Sequence, residues 1–312
     1  MTLTPSPNDA HRSDSPRVSQ FMEQETLHDA IAKVHVPDRT SRADSTTPST
    51  CPFHKITSDD TLVALVRSYP RLMVRPGIYP PFVHHMLYPC ATGEIAEPLA
   101  KAFCCVGAFY ASLPTSRSFV CGMMNEESGR LVKSFTRDSL SDGEMLAIVH
   151  AMCVYQMIGF FGGGDKDDVK AAGMRHSFFL KNHLEEEPLE EVGEVAWRRW
   201  IMSETIRRTV LLVNAINILS CRVEKQERLF FEPLDAQLVR GMLLPAPDAL
   251  WQASTAEEWA AARRSVGGGI TLQQALDQIG ANGHLDPPFG GLEQLDAFVQ
   301  LVIFTAGIEK EL

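Results

Sequence analysis

Apolar residues recur along the chain at intervals of three and four, the spacing that buries one face of an α-helix. In "DDTLVALVRSYPRLMV" they are Leu62, Leu65, Val66 and Tyr69, behind an acidic start, and Pro70 is predicted to break or kink the run. The stretches "EIAEPLAKAFCCVGAFYASL" and "SRSFVCGMMNEESGRLVKSF" predict two more helices. We find no convincing alternating strand pattern and no internal repeat, so the pattern predicts an all-α fold.

The middle of the chain carries clear signals for helix ends. Residues 141–144 match the S-x-x-E capping box, and the helix that they begin is expected to continue to about Phe161. The glycines at 162–164 then predict a left-handed C-terminal cap, and another helical pattern runs from 167 to 180.

The strongest helical pattern covers residues 194–221. Its Trp197, Trp200, Ile201 and Leu211 fall near one face. Within it, Glu204 is spaced for ion pairs with Arg207 and Arg208. Beyond it, a helix capped by Ser254 or Thr255 is expected, followed by helical patterns at 272–279 and from 292 to the end.

The first fifty residues differ from the rest in composition. They are rich in Ser, Thr, Pro and Asp, and they hold too little apolar surface to offset the entropy of ordering. We therefore predict a disordered N-terminal arm at 1–55, with at most a short helix near 21–34, and one multi-helix domain at 56–312.

Charge and apolar composition argue against nucleic-acid binding, secretion and membrane insertion. A formal charge of −10 argues against a broad nucleic-acid surface, which needs clustered Lys and Arg. The first twenty residues show no secretory signal. Residues 145–164 carry no formal charge and are long enough to span a bilayer, but His150, Gln156 and four glycines favour a buried helix.

The cysteines and histidines show no spacing typical of a metal site or a disulfide framework. Seven cysteines contain no C-x2-C pair, so reduced thiols that act as small core residues are the simplest interpretation. Cys51 and His54 lack a second ligand pair, and adjacent Cys104 and Cys105 lie in an apolar run, where thiols are usually inert.

Other candidate chemical groups are equally weak. Of the pair His84 and His85, one ring is expected to face inward, which is commoner than metal binding near Cys90. Gly159 and Gly164 have P-loop spacing, but Asp165 occupies the lysine position. The glutamates between 185 and 194 are interpreted as a solvated face. We therefore assign no catalytic, cofactor-binding, metal-binding or DNA-binding residue, predict no cofactor, and expect a protein that is not an enzyme.

Six segments, in order along the chain, together resemble the fungal-specific transcription-factor domain. "SYPRLMVRPGIYPPFVHHML" resembles its Y-P-x-M … P-P-F-I-H block, and "EPLAKAFCCVGAF" resembles the helix that follows. "FVCGMMNEESGRL" resembles the block that ends E-x-x-R-L, and "VYQMIGFFGGGDKD" resembles L-Y-Q-x-I-G-L-F-D-G-D. "WRRWIMSETIRRTV" resembles W-x-x-W-I-x-x-E-x-x-R-R-T, and "LLPAPDALWQASTAEEW" resembles L-P-L-P-x-x-x-x-L-W-x-A. The resemblance covers residues 60–310, and packing is the favoured role of its signature residues.

The resemblance implies a nuclear transcription regulator. Relatives that lack a DNA-reading module occur beside fungal secondary-metabolite gene clusters, so the resemblance also implies regulation of such a cluster. Only Cys51 precedes the domain, whereas a binuclear zinc cluster needs six cysteines, so the chain is not expected to read DNA bases. Because residues 145–164 are interpreted as a buried helix, no membrane is expected as a partner either. The expected partner is a DNA-binding transcription factor, which the chain assists or sequesters, or a second copy in a homodimer. The chain also stops where relatives usually continue. A small-molecule sensor and an all-α enzyme of the same pathway are the alternatives.

Overall fold

The computed structural model describes residues 58–88, 95–134, 140–161, 193–224, 236–286, 292 and 295–308. Ten helices lie in this part of the chain: α1 (Asp59–Leu72), α2 (Glu97–Ala111), α3 (Pro114–Ser134), α4 (Asp142–Phe161), α5 (Glu194–Glu224), α6 (Ala236–Gly241), α7 (Asp248–Trp251), α8 (Ala256–Ser265), α9 (Leu272–Asn282) and α10 (Ala297–Ile308). The β-pairing in these residues is one isolated bridge between Leu243 and Thr271. The all-α prediction is confirmed, and the predicted arm lies outside the described residues.

Helix α1 differs from its prediction at Pro70. Ser58 caps its start by accepting a hydrogen bond from the Thr61 N–H at 3.3 Å. Pro70 does not break the helix, which continues to Leu72. The proline lies in the last turn, so it removes one hydrogen bond without preventing the two residues that follow from remaining helical.

Helix α4 is the centre of the main core. Every residue from Leu146 to Phe161 is buried, and the helix packs against α1, α2, α3 and α5. The predicted capping box is present, since the Ser141 N–H donates to Glu144 at 2.9 Å and the Glu144 N–H approaches the Ser141 hydroxyl. Length and apolar composition would suffice for a membrane span, but 89% of its apolar window is buried inside the protein. The predicted glycine cap after Phe161 and the helical pattern at 167–180 lie outside the described residues.

Helix α5 joins two cores. It is about 46 Å long at 1.5 Å per residue and ends at Glu224, one turn beyond the predicted end. Near its start, Trp197 and Ile201 pack with α7 and α8 in a small second core that also contains Leu250 and Trp259. Leu211 and the rest of the helix lie in the main core with α1, α4, α6 and α10.

The last helices confirm the predicted patterns, decide between the two predicted caps of α8 and correct the start of α10. Thr255, rather than Ser254, caps α8, because its hydroxyl accepts from the Glu258 N–H at 3.2 Å. Helix α9 begins with a capping box between Thr271 and Gln274. Helix α10 begins at Ala297, where the Asp296 carboxylate accepts hydrogen bonds from two backbone N–H groups of the first turn, and residues 293–294 of the predicted pattern lie outside the described residues.

Candidate functional site

Arg208 lies at the centre of the protein although it is charged. Its side chain is 1% exposed, and its Nε donates to Glu204 Oε1 at 2.8 Å. Its two terminal nitrogens donate to the carbonyl oxygens of Pro81, at 3.0 Å, and Ala246, at 2.7 Å. The guanidinium also lies over the Trp251 ring, 4.1 Å from the centroid. We call this arrangement, Glu204 and Arg208 with Pro81, Ala246 and Trp251, the arginine hub.

Glu204 completes the hydrogen bonding of the arginine hub. Its carboxylate is fully buried and accepts from Arg208, from Arg207 and from the Ala246 N–H, the last at 2.8 Å. A buried ion pair offsets its desolvation cost only when such additional hydrogen bonds satisfy the remaining polar atoms. The predicted ion pairs of Glu204 with Arg207 and Arg208 are therefore confirmed. Glu204 and Arg208 also form hydrogen bonds with other segments in the core.

The arginine hub brings together three of the six segments that carry the family resemblance. Pro81 comes from the proline-rich segment, Glu204 and Arg208 from α5, and Ala246 and Trp251 from the segment around α7. These positions are buried or partly buried and are satisfied by one another. Packing is therefore what the structure shows for these signature residues, as the sequence predicted.

His84 is the histidine of the predicted pair that faces inward. It is buried, stacks on His85 with 4.6 Å between ring centroids, and meets the Trp251 ring edge-on at 4.6 Å. Its Nδ1 accepts from the Met86 N–H at 3.1 Å. Burial and the neighbouring His85 lower the pKa of His84 to about 3, so the ring is neutral at pH 7.

A second buried histidine, His150, has no counterpart in the sequence motifs. The Thr209 hydroxyl donates to the Thr205 carbonyl, so its oxygen accepts from His150 Nε2 at 2.9 Å. Nδ1 is therefore unprotonated and accepts from the Tyr88 hydroxyl at 2.7 Å. Burial lowers the pKa of His150 to about 3. This chain of hydrogen bonds links α4, α5 and the end of the proline-rich segment.

Two other resemblance segments meet at the surface between α2 and α3. Arg130 Nε donates to Glu127 at 2.9 Å, and Lys101 lies 2.5 Å from Glu97 on the neighbouring helix. The pairs approach each other, with 3.9 Å between Lys101 and Glu127. These charges are partly exposed, so they contribute little to stability and mainly fix how the helices align.

The surface carries an open groove where α1 ends, and mostly apolar side chains line it together with Arg75 and polar backbone atoms. The segment Met73–Tyr79 and Phe103 of α2 line it, and it has a volume of about 300 Å³. Val74, Ile78 and Tyr79 are between 39% and 45% exposed, which is high for large apolar side chains. Gly77 turns the segment at a φ of 73°, a conformation that other residues adopt at a cost. We call this feature the apolar groove.

The remaining sequence candidates are not brought together. No group of three or more His, Cys, Asp or Glu residues with metal-site geometry occurs in the described part of the chain. Cys105 is buried, and burial raises the pKa of its thiol. Gly159 lies inside α4, whereas a P-loop needs a strand before it, so the described residues agree with the interpretation that this glycine spacing is not a phosphate site. Cys51, His54, Cys90, Gly164, Asp165 and the glutamates from 185 to 191 lie outside the described residues. Glu194, the last of that set, is the first residue of α5 and pairs with Arg198 at the surface.

Comparisons with protein families, with curated proteins and with solved structures returned no match to this chain.

Proposed function

We propose that the protein regulates transcription through protein contacts, in the nucleus, without reading DNA bases itself. The observation that carries the proposal is the convergence of the resemblance segments. Residues as distant in the chain as Pro81 and Arg208 meet in one arginine hub. Such convergence is expected when segments are parts of one inherited architecture, and it supports the resemblance on which the regulatory role rests.

The surface supports contact with a protein. The apolar groove exposes large side chains that would gain free energy by burial against a partner. The expected partner is a DNA-binding transcription factor, because the 312 residues hold too few cysteines in suitable spacing for a binuclear zinc cluster. Regulation of a secondary-metabolite gene cluster is part of the same proposal and follows from the resemblance alone.

Two assays test the proposal. The first selects duplexes from a random DNA pool with the purified chain at physiological salt, where we expect no enriched sequence. The second fuses the chain to an unrelated DNA-binding domain and measures a reporter gene downstream of that domain's site. We expect the fusion to change reporter transcription relative to the DNA-binding domain alone. An enriched sequence, or an unchanged reporter, would reject the proposal.

A small-molecule sensor is the second candidate, and the apolar groove is the observation that favours it. Its volume of about 300 Å³ is at the lower end of the range for ligand pockets. The groove is lined by partly exposed side chains, whereas drug-sized ligands are usually largely enclosed. Screening for ligands that raise the thermal midpoint, and lose this effect in Tyr79→Ser, would support the sensor.

A further inference from the structure

The chain holds 39 Asp and Glu, yet its two longest stretches without an acidic residue lie close together in sequence. They are residues 61–93 and 98–125. The structure packs them together, since they supply most of α1, most of α2 and the first half of α3. In the described part of the chain these two stretches form a region that contributes no carboxylate of its own, and this region contains the apolar groove.

Three arginines follow one another along this region at intervals of four residues. Arg67 and Arg71 lie on α1, and Arg75 lies on the segment that lines the apolar groove; all three are exposed. Arg71 lies over the Tyr110 ring, 4.9 Å from its centroid, and the Tyr110 hydroxyl donates to the Arg67 carbonyl at 3.4 Å. Within the described residues, none of the three guanidinium groups pairs with a carboxylate. We call them the arginine row.

Large exposed apolar side chains collect in the same part of the chain. Val74, Ile78 and Tyr79 line the apolar groove itself. The acid-free part of α2 and α3 carries more, since Phe103 forms a groove wall and Phe119 is 71% exposed. Basic and apolar groups that lie beside each other are complementary to a ligand that is both acidic and apolar.

We propose that the apolar groove and the arginine row together bind a short acidic, amphipathic peptide segment of a partner protein. Bulky apolar side chains of the segment enter the groove beside Ile78 and Tyr79, and its carboxylates pair with Arg71 and Arg75. The inference rests on the proposed function and deepens it by naming the chemistry of the partner.

The charge of the whole protein favours a peptide over an anionic membrane or DNA. A net charge of −10 repels an extended anionic surface, which meets the field of the entire molecule. A short peptide instead contacts mainly the local basic region, because distant exposed charges are screened over about 8 Å at physiological salt. The groove is also concave and suits inserted side chains, whereas DNA phosphates would leave it unused.

Binding of a defined peptide to the full chain tests the proposal. The probe is a fluorescent peptide of about 15 residues, in which Asp and Glu form one helical face and Leu and Phe the other. Two matched peptides replace either all acids by Lys or all apolar residues by Ser. Fluorescence anisotropy is expected to show binding of the acidic amphipathic peptide, with a Kd on the order of 10 μM, and none of the matched peptides.

Variants of the chain locate the site. The double change Arg71→Glu and Arg75→Glu should weaken binding about tenfold or more, because each lost pair also becomes a repulsion. Tyr79→Ser should weaken binding by removing apolar contact area. Arg264→Glu is the matched control, because Arg264 is also an exposed arginine in the last turn of a helix, and this variant should bind as wild type does. Thermal unfolding midpoints verify that each variant is folded.

Several results would overturn the proposal. One is equal binding of the acidic and the lysine peptides, and another is equal affinity of the double variant and Arg264→Glu. A third is binding of phosphatidylserine vesicles or duplex DNA that depends on Arg71 and Arg75 while the acidic peptide does not bind. A fourth is self-association in sedimentation that the double variant abolishes, which would assign the groove to a second copy.

This test separates the inference from the proposed function. If no acidic peptide binds but the reporter fusion still changes transcription, only the partner's chemistry is wrong. If the peptide binds and the reporter stays unchanged, the groove's specificity stands and the transcriptional role is rejected.

Discussion

Arg208 places a positive charge in the core, where desolvation is costly, and the residues around it offset this cost. Its three nitrogens all donate, two of them to carbonyl oxygens from other parts of the chain. Glu204 is equally satisfied by three donors. The arginine hub therefore stabilises one specific arrangement of the segments that meet there, because any other arrangement would leave a buried charge unpaired.

Removal of the Arg208 charge should be strongly destabilising. Arg208→Met leaves the fully buried Glu204 with one fewer cationic partner, which typically costs about 3–5 kcal/mol. Arg207→Met is the matched control, since Arg207 binds the same carboxylate but its side chain is 23% exposed. It should cost about 1 kcal/mol or less. Urea unfolding measures both, and equal losses would contradict the role assigned to Arg208.

His150 should make the folding stability depend on pH. Its folded pKa of about 3 is below the usual 6.5, so below pH 6.5 the unfolded chain binds a proton that the folded chain does not. Stability should therefore fall as pH decreases from 6.5 towards 3, by about 1.4 kcal/mol per pH unit from this group.

The variant His150→Asn isolates that contribution. Measured between pH 6.5 and 5 by urea unfolding, its stability should depend less steeply on pH than that of wild type, by about 1.4 kcal/mol per unit. A wild-type slope in His150→Asn would show that the buried ring does not remain neutral.

The ion pairs within α5 could be predicted from the sequence, but the hydrogen bonds that join them to other segments could not. The spacing of Glu204 with Arg207 and Arg208 is visible because it is a property of a single helix. The carbonyl groups of Pro81 and Ala246 come from segments whose backbone direction is decided by packing. In the sequence His150 indicated only that its apolar run is not a membrane span, because a histidine in such a run matches no motif. Only the fold brings Tyr88 and Thr209 to it.

At the scale of the helices, boundaries follow capping chemistry more closely than apolar spacing. The capping box at Ser141 and the end at Phe161 were predicted from sequence. The end of α1 and the start of α10 were not. Pro70 is tolerated because it lies in the last turn of α1. Helix α10 begins directly after Asp296, because the carboxylate of Asp296 accepts hydrogen bonds from N–H groups of the first turn.

The capping box of α9 gives a prediction at this scale. Thr271→Ala removes the hydroxyl that accepts from the Gln274 N–H at 3.2 Å and should cost about 1 kcal/mol. Thr271→Ser retains a hydroxyl and should remain within a few tenths of a kcal/mol of wild type. Urea unfolding of the pair measures the difference. If serine and alanine destabilise equally, the cap does not stabilise α9.

At the scale of the whole molecule, the long helix α5 connects two cores. Acidic residues are distributed unevenly along the chain, since 61–93 and 98–125 contain none. The all-α class could be predicted because helical spacing recurs throughout the chain. The apolar groove could not, because Phe103 and the segment after α1 are brought together only by helix packing. The acid-free stretches can be read from the sequence. That they pack against each other beside the groove can be seen only in the structure.

We propose that the chain acts on transcription by binding a partner at the apolar groove and the arginine row. The most direct measurement is the reporter fusion carried out with wild type, with Arg71→Glu and Arg75→Glu together, and with Arg264→Glu, at matched protein levels. We predict that wild type and Arg264→Glu change reporter transcription equally and that the double variant changes it little or not at all. An equal response of all three, or no response from wild type, would contradict the account.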